Sequence, residues 1–74
     1  MSDGFIHTVF KDGQWVNEIE GDGLIGEAHP SKEDAVAVGR ARAQENATEH
    51  VIHNQDGAIS ERNSYGRDPA SRPG

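Results

Sequence analysis

Four histidines are the residues of this chain best suited to chemistry, because imidazole binds metal ions and exchanges protons. They are His7, His29, His50 and His53, in a chain of 74 residues. His50 and His53 are three positions apart, and on a strand this spacing places them on opposite faces. A zinc site needs three or four ligands, and the sequence indicates no third ligand near this pair. We therefore expect surface or edge histidines, with no metal and no cofactor.

Nucleophilic catalysis is the second chemistry to consider, since Ser60 and Ser64 lie close in sequence to His53 and Glu61. A catalytic serine needs an adjacent base, an orienting acid and a pocket that excludes water. Nothing here resembles a nucleophile elbow, and so short a chain can hardly enclose such a pocket. The sequence predicts no enzyme, with no catalytic, cofactor-binding or metal-binding residue.

A polar run follows the last apolar segment, from Glu61 to Gly66. In a purely structural interpretation, Tyr65 closes the edge of the core with its hydroxyl in water. In a functional interpretation, Arg62, Tyr65 and Arg67 form a recognition surface, because arginine and tyrosine often anchor interfaces. Both interpretations stay open.

Net charge constrains the partner. The chain carries −6, and residues 1–34 hold two cationic against eight anionic side chains. Proteins that bind nucleic acids depend on lysine and arginine for phosphate contacts, so the acidic first half argues against that role. We expect a protein-binding or adaptor module with an unidentified protein partner. The alternative is a nucleic-acid-binding accessory protein that uses the arginines of the second half, Arg40, Arg42, Arg62, Arg67 and Arg72.

Size and hydropathy limit the size of the core and the possible cellular location. Hydrophobic residues make up 32% of the chain, and there is no cysteine to form a disulfide. So small a domain buries a modest core, and self-association into a homodimer would bury more. No apolar run approaches the roughly 20 residues of a membrane span. The first residues also lack a signal-peptide pattern, so we expect a cytoplasmic protein.

The first hairpin is predicted from two apolar runs around an Asp-Gly step. Residues 5–10 and 15–20 read as strands, and Asp12-Gly13 is typical of a two-residue type I′ turn. That turn fixes the cross-strand neighbours, and the face that holds most of the large apolar side chains should be the core side. Its pairs are Phe10 with Trp15, Thr8 with Asn17, and Ile6 with Ile19.

A loop, a helix and a second hairpin follow. Residues 21–30 contain three glycines and a proline, which predict a loop. Ser31 is an N-cap candidate, with Asp34 completing a capping box. The next helix carries a stripe of small residues, and a mid-helix glycine there is typical of close packing. The stripe consists of Ala35, Val36, Gly39, Ala43 and Ala47.

The second hairpin covers residues 49–54 and 58–63. Its turn has either two residues, Asp56-Gly57, or three residues with Gly57 in the left-handed conformation. Together the elements predict a mostly antiparallel α+β fold, with two β-hairpins flanking one α-helix that packs on one face of the sheet (β-β-α-β-β). The strand order stays open. We expect residues 1–65 to form a single small domain and residues 66–74 a flexible tail.

Three segments resemble a family of small bacterial proteins catalogued only as a domain of unknown function, family 2188. The first is Ile6-His7-Thr8-Val9 with Asp12-Gly13 and Trp15. The second is the helix with Ala35-Val36, Arg40 and Ala43, and the third runs from Val51-Ile52-His53 through Asp56-Gly57 and Ile59 to Glu61–Gly66 and Asp68-Pro69.

Three positions depart from the pattern of that family. Asn17 stands where the resemblance implies an apolar residue, Gly39 where it implies alanine, and Phe10 where it implies proline. The resemblance implies a small stand-alone domain, with no activity, cofactor or substrate attached to it.

Overall fold

Five strands and one helix make up the fold. The structure is a computed structural model that describes residues 4–66. The elements are β1 (Ile6–Lys11), β2 (Gln14–Ile19), β3 (Gly23–His29), α1 (Lys32–Asn46), β4 (Glu49–His53) and β5 (Ile59–Ser64). All five strands form one sheet in the order β3-β2-β1-β4-β5. Every neighbouring pair is antiparallel except β1 and β4, which are parallel at the centre.

The predicted first hairpin is confirmed in its register. Phe10 pairs with Trp15, Thr8 with Asn17 and Ile6 with Ile19. Asp12 has a φ of 52° and Gly13 a φ of 82°, the two positive values that a type I′ turn requires. The face carrying these pairs is the one that the helix covers.

The prediction of a loop over residues 21–30 is wrong, because Gly23–His29 is the edge strand β3. It pairs with β2 in an antiparallel register that shifts between Trp15 and Asn17. Gly23 and Gly26 have positive φ values of 90° and 70°, which ordinary strand residues rarely adopt. Glycines with such φ values can be accommodated in an irregular edge strand. Because glycines usually indicate a loop, the sequence pattern did not reveal this strand.

The helix begins at the predicted N-cap and packs through three of the five residues of the predicted stripe, since Val36 is half-buried and Ala47 is the C-cap. Ser31 is the N-cap, and its hydroxyl accepts a hydrogen bond from the Asp34 backbone N–H at 3.2 Å. Ala35, Gly39 and Ala43 are its buried residues, so small side chains bring the helix axis close to the sheet. A Cβ built on Gly39 would lie 2.5 Å from Asn17 Oδ1 and 2.7 Å from His50 Nε2. Close packing therefore explains the mid-helix glycine.

The second hairpin uses the three-residue turn. The Asn54 N–H donates to the Ala58 carbonyl at 2.7 Å, and residues 55–57 form the loop between them. Gly57 has a φ of 96°, and Asp56 Oδ1 accepts from the Ala58 N–H at 3.0 Å. The register between β4 and β5 shifts between Ile52 and His53, so Ser60 of β5 has no partner on β4.

The α+β class with a helix on a mostly antiparallel sheet is confirmed, with three strands before the helix instead of two. The sequence did not predict the strand order. In the structure β1 lies beside β4, with Ile6 opposite His50 and Thr8 opposite Ile52. The buried hydrophobic core consists of Ile6, Trp15, Val16, Ala35, Ala43, Val51 and Ile52. The predicted tail, apart from Gly66, lies outside the described residues.

Candidate functional site

The helix divides the sheet into two unlike faces. Because side chains alternate along each strand, the covered face carries Thr8, Asn17 and His50 beneath α1. The other side is called the helix-free face below. Its residues on the paired strands are His7, Val9, Lys11, Gln14, Val16, Glu18, Leu24, Glu49, Val51, His53, Ile59, Arg62 and Ser64, and Glu20 adjoins it beyond the end of β2.

A polar network lies buried under the helix on the covered face. The Thr8 hydroxyl donates to Asn17 Oδ1 at 2.6 Å, and Asn17 Nδ2 donates to the Ala35 carbonyl at 3.0 Å. Since the single proton of Thr8 is used there, His50 Nε2 donates to Thr8 Oγ1 at 2.7 Å. Thr8, Asn17 and His50 are all 0% exposed, so the network orients the helix and is out of reach of a solute.

His50 is neutral in this network. Burial lowers the pKa of His50, and the nearby positive charge of Arg40 lowers it further. Its second nitrogen, Nδ1, is buried without a hydrogen-bond partner. A hydroxyl beside an imidazole suggests nucleophilic chemistry, but here the imidazole donates to the hydroxyl and cannot act as its base.

His7 and His53, called the histidine pair below, meet on the helix-free face. His7 Nδ1 lies 3.0 Å from His53 Nε2, and the ring centroids are 5.2 Å apart. The outer nitrogens also have partners, since His7 Nε2 lies 2.7 Å from Glu20 Oε2 and His53 Nδ1 lies 3.1 Å from the Gly57 carbonyl oxygen. The hydrogen bond from His7 lowers the pKa of Glu20, which keeps this carboxylate ionised.

Two ion pairs complete the helix-free face. Lys11 Nζ lies 3.1 Å from Glu18 Oε2, and Arg62 Nε lies 3.7 Å from Glu49 Oε1. Arg62 is directly opposite Val51, which is 0% exposed although no helix covers it. The aliphatic stems of long charged side chains can bury apolar neighbours in this way.

Large apolar side chains are exposed towards both edges of the helix-free face. Leu24 on β3 is 60% exposed and Ile59 on β5 is 54% exposed. Both face the same side, because Leu24 pairs with Glu18 and Ile59 pairs with His53. Val38, 43% exposed, lies on the helix and therefore on the other side of the molecule.

The predicted recognition surface of Arg62, Tyr65 and Arg67 is placed only in part. Arg62 lies on the helix-free face beside Glu49, and Tyr65 is half-buried with its backbone N–H bonded to the Thr48 carbonyl at 3.1 Å. Three positions separate Arg62 from Tyr65, so an extended chain directs them to opposite sides. Arg67 lies outside the described residues, and the surface as a set stays a prediction.

The arginines of the second half do not form one patch where the structure describes them. Arg40 and Arg42 lie on α1, and Arg62 lies on the opposite side of the sheet. Arg42 Nε is 3.7 Å from Glu45 Oε1, so its charge is partly balanced. Arg67 and Arg72 lie outside the described residues.

Sequence reasoning missed the histidine pair. The two residues are 46 positions apart and meet only because β1 and β4 are neighbours. The signal that could have found them was a histidine on the helix-free side of each central strand. Within residues 4–66, no three His, Cys, Asp or Glu side chains form a group that could hold a metal ion.

These features define a small α+β domain with one covered and one open sheet face. Residues 6–65 match the family of uncharacterised proteins conserved in bacteria, domain of unknown function 2188, and the chain belongs to this family. No curated protein and no solved structure matches the chain. Among the described elements, the single helix is too short and too polar to span a bilayer.

Proposed function

We propose that this domain is a protein-binding module without catalytic activity, which docks through its helix-free face, and that a second copy of the chain is the occupant. The observation that carries the proposal is the pairing of exposed apolar side chains with balanced charge on one face.

Leu24 and Ile59 supply the exposed apolar area of the helix-free face. Each exposes more than half of its side chain on the same face. An exposed leucine or isoleucine alone is ordinary, whereas two on the same face provide apolar area for association. Burial of apolar surface contributes roughly 25 cal/mol per Å².

The charge of the helix-free face favours a second copy of the chain as the occupant. The helix-free face holds two cationic side chains, Lys11 and Arg62, against three carboxylates, those of Glu18, Glu20 and Glu49, and so accounts for −1 of the net charge of −6. The surplus of acidic side chains lies elsewhere on the domain. Two copies therefore repel each other least when these faces meet, whereas a cationic partner would favour the more acidic remainder.

The nucleic-acid alternative receives no comparable support. A phosphate backbone needs a continuous cationic surface. The described arginines lie on both sides of the sheet, and two of them are close to carboxylates.

The experiment measures molar mass against concentration, by sedimentation or by light scattering after size exclusion. Wild type should change from monomer to dimer as its concentration rises. Leu24→Lys and Ile59→Lys should remain monomeric, because each places an uncompensated charge in the contact. Val38→Lys is the matched control, since Val38 has similar exposure on the helix side, and it should dimerise like wild type.

Two results would overturn the proposal. A wild-type chain that stays monomeric at every concentration removes the second copy as occupant. A dimer that Val38→Lys disrupts, and that Leu24→Lys and Ile59→Lys leave intact, moves the contact to the helix side.

A further inference from the structure

The histidine pair lies in a line of three contacts that runs from Glu20 through both rings to the carbonyl of Gly57. The Gly57 carbonyl only accepts, so its 3.1 Å contact needs a proton on His53 Nδ1. The ionised Glu20 carboxylate also accepts, so its 2.7 Å contact needs a proton on His7 Nε2. The inner contact, 3.0 Å between His7 Nδ1 and His53 Nε2, is a hydrogen bond only if it holds a third proton.

The number of protons sets the charge of the pair. Two neutral imidazoles carry two N–H groups, whereas the three contacts require three. The pair with all three contacts therefore holds one additional proton between its inner nitrogens, and with it one positive charge. A further proton would direct two N–H groups at each other across 3.0 Å, so the pair takes up one proton and not two.

We propose that the histidine pair is a one-proton switch for the docking of two copies: His7 and His53 bind a single shared proton, and the charge it adds strengthens the contact between two helix-free faces. This inference rests on the proposed function, because the pair lies within the docking face.

Loss of the shared proton breaks one of the three contacts. The bond to the Glu20 carboxylate is charge-assisted and therefore stronger than the bond to a neutral carbonyl, so His7 Nε2 keeps its proton. His53 then donates from Nε2 to His7 Nδ1 and turns a lone pair on its own Nδ1 towards the Gly57 oxygen. Deprotonation thus releases the turn at residues 55–57, which leads directly into Ile59 of the docking face.

Charged groups surround the pair on every neighbouring element. They are Lys11 on β1, Glu18 and Glu20 on and beyond β2, Glu49 on β4, Asp56 in the turn and Arg62 on β5. Lys11 lies against Glu18 and Arg62 against Glu49, while the Asp56 carboxylate accepts from the Ala58 N–H. Glu20 has its closest cationic partner in the protonated pair, at 2.7 Å.

The shared proton removes the net charge of the contact. With a neutral pair the helix-free face carries −1, from two cations and three carboxylates, and one proton brings it to zero. Like charges that meet across an interface oppose association, so the protonated faces should bind each other more tightly. By reciprocity the dimer holds the proton more tightly than the monomer does.

The first test counts protons on dilute wild type by nuclear magnetic resonance, and it needs no variant. We expect the imidazole signals of His7 and His53 to shift together as the pH falls, with one proton taken up by the two rings. The carbonyl signal of Gly57 should shift at the same midpoint, while His29 titrates separately. Uptake of a full proton by each ring, or a Gly57 signal that does not follow, would overturn the shared proton.

The second test measures the dimer dissociation constant by sedimentation on both sides of the range in which imidazole titrates. Wild type should dimerise about tenfold more tightly at about pH 6 than at about pH 8. His7→Gln and His53→Gln should lose this difference, and His29→Gln, the matched control, should keep it. His50 stays neutral across this range, because burial lowers its pKa.

Glu20→Gln gives the sharpest result. It makes the face neutral without the proton, so at about pH 8 its dimer should be as tight as the wild-type dimer at about pH 6. A wild-type dimer of equal strength at both pH values would overturn the switch and leave the docking in place. A chain that stays monomeric at both pH values would overturn the docking and the switch together.

Discussion

The two faces of the sheet differ in how their polar side chains are buried and hydrogen-bonded. Under the helix, Thr8, Asn17 and His50 are fully buried, uncharged, and joined by short hydrogen bonds. On the helix-free face, His7 and His53 are half-buried among carboxylates and cations, with every ring nitrogen in contact with a partner. The same residue type therefore serves orientation on one face and remains accessible to solutes on the other.

Because the two faces differ in burial, substitutions on them should affect different measured properties. A change on the covered face should alter stability, because a buried polar group that loses its partner retains the cost of desolvation. A change in the exposed charged side chains of the helix-free face should have little effect on stability, because exposed ion pairs contribute little.

Gly39→Ala should have the largest effect on stability. Alanine is the better helix former by about 1 kcal/mol, yet its Cβ would lie 2.5 Å from Asn17 Oδ1 and 2.9 Å from Thr8 Oγ1. We expect a net loss of about 3 kcal/mol in the free energy of unfolding, measured by urea denaturation.

Two further variants sharpen that result. Ala41→Gly, at an exposed position of the same helix, should cost about 1 kcal/mol from propensity alone. Asn17→Ala combined with Gly39→Ala should cost less than the sum of the two single changes, because the truncated Asn17 relieves the overlap. A Gly39→Ala variant as stable as wild type would contradict the close contact.

Thr8→Val should have the next largest effect. Valine keeps the shape but leaves Asn17 Oδ1 and His50 Nε2 without the hydroxyl that joins them. A loss of about 2 kcal/mol is expected, measured by thermal and urea unfolding. Val9→Thr, the reverse change at the neighbouring half-buried position on the helix-free face, should be nearly neutral, and equal losses in both variants would remove the contrast between the faces.

His50 should make stability depend on pH. Its pKa in the folded state is lowered from 6.5 by burial and by Arg40, so the unfolded chain binds the proton more tightly. The contribution of His50 to stability is complete above pH 6.5 and is lost as the pH falls below this value towards the folded-state pKa. His50→Gln should flatten the dependence of the free energy of unfolding on pH in this window, and an unchanged slope would assign the dependence to other groups.

Glu49→Gln should have the smallest effect. The Arg62–Glu49 pair is partly exposed with 3.7 Å between its atoms, so we expect a loss below about 0.5 kcal/mol that shrinks further in added salt. A loss as large as that of Thr8→Val would show that this ion pair is integral to the core.

The sequence predicted the elements that local chemistry determines. Asp12-Gly13 set the first hairpin and its register, and Ser31 with the small-residue stripe set the helix. The missed strand β3 has glycines at 23 and 26 whose positive φ values contradict strand propensity. Pairing with β2 overrides that propensity, and pairing is a tertiary effect that a local pattern does not contain.

The candidate site was harder to predict because it depends on strand order. The histidine pair forms across the parallel β1–β4 contact, which joins segments separated by β2, β3 and the helix. Two departures from the family pattern, Asn17 and Gly39, proved to be one feature, since the amide occupies the space that a Cβ at position 39 would need. Phe10, the third departure, packs its ring 5.1 Å from that of Trp15.

The parallel contact between β1 and β4 also governs how the chain reaches this structure. Each hairpin can form early from near neighbours in sequence, but the centre of the sheet joins residues more than 40 positions apart, such as Thr8 and Ile52. We therefore expect closure of the β1–β4 contact to be the slow step of folding. Separating the chain between β3 and α1 would leave β1 as an unpaired edge in one fragment and β4 in the other, so the two halves should refold only when mixed.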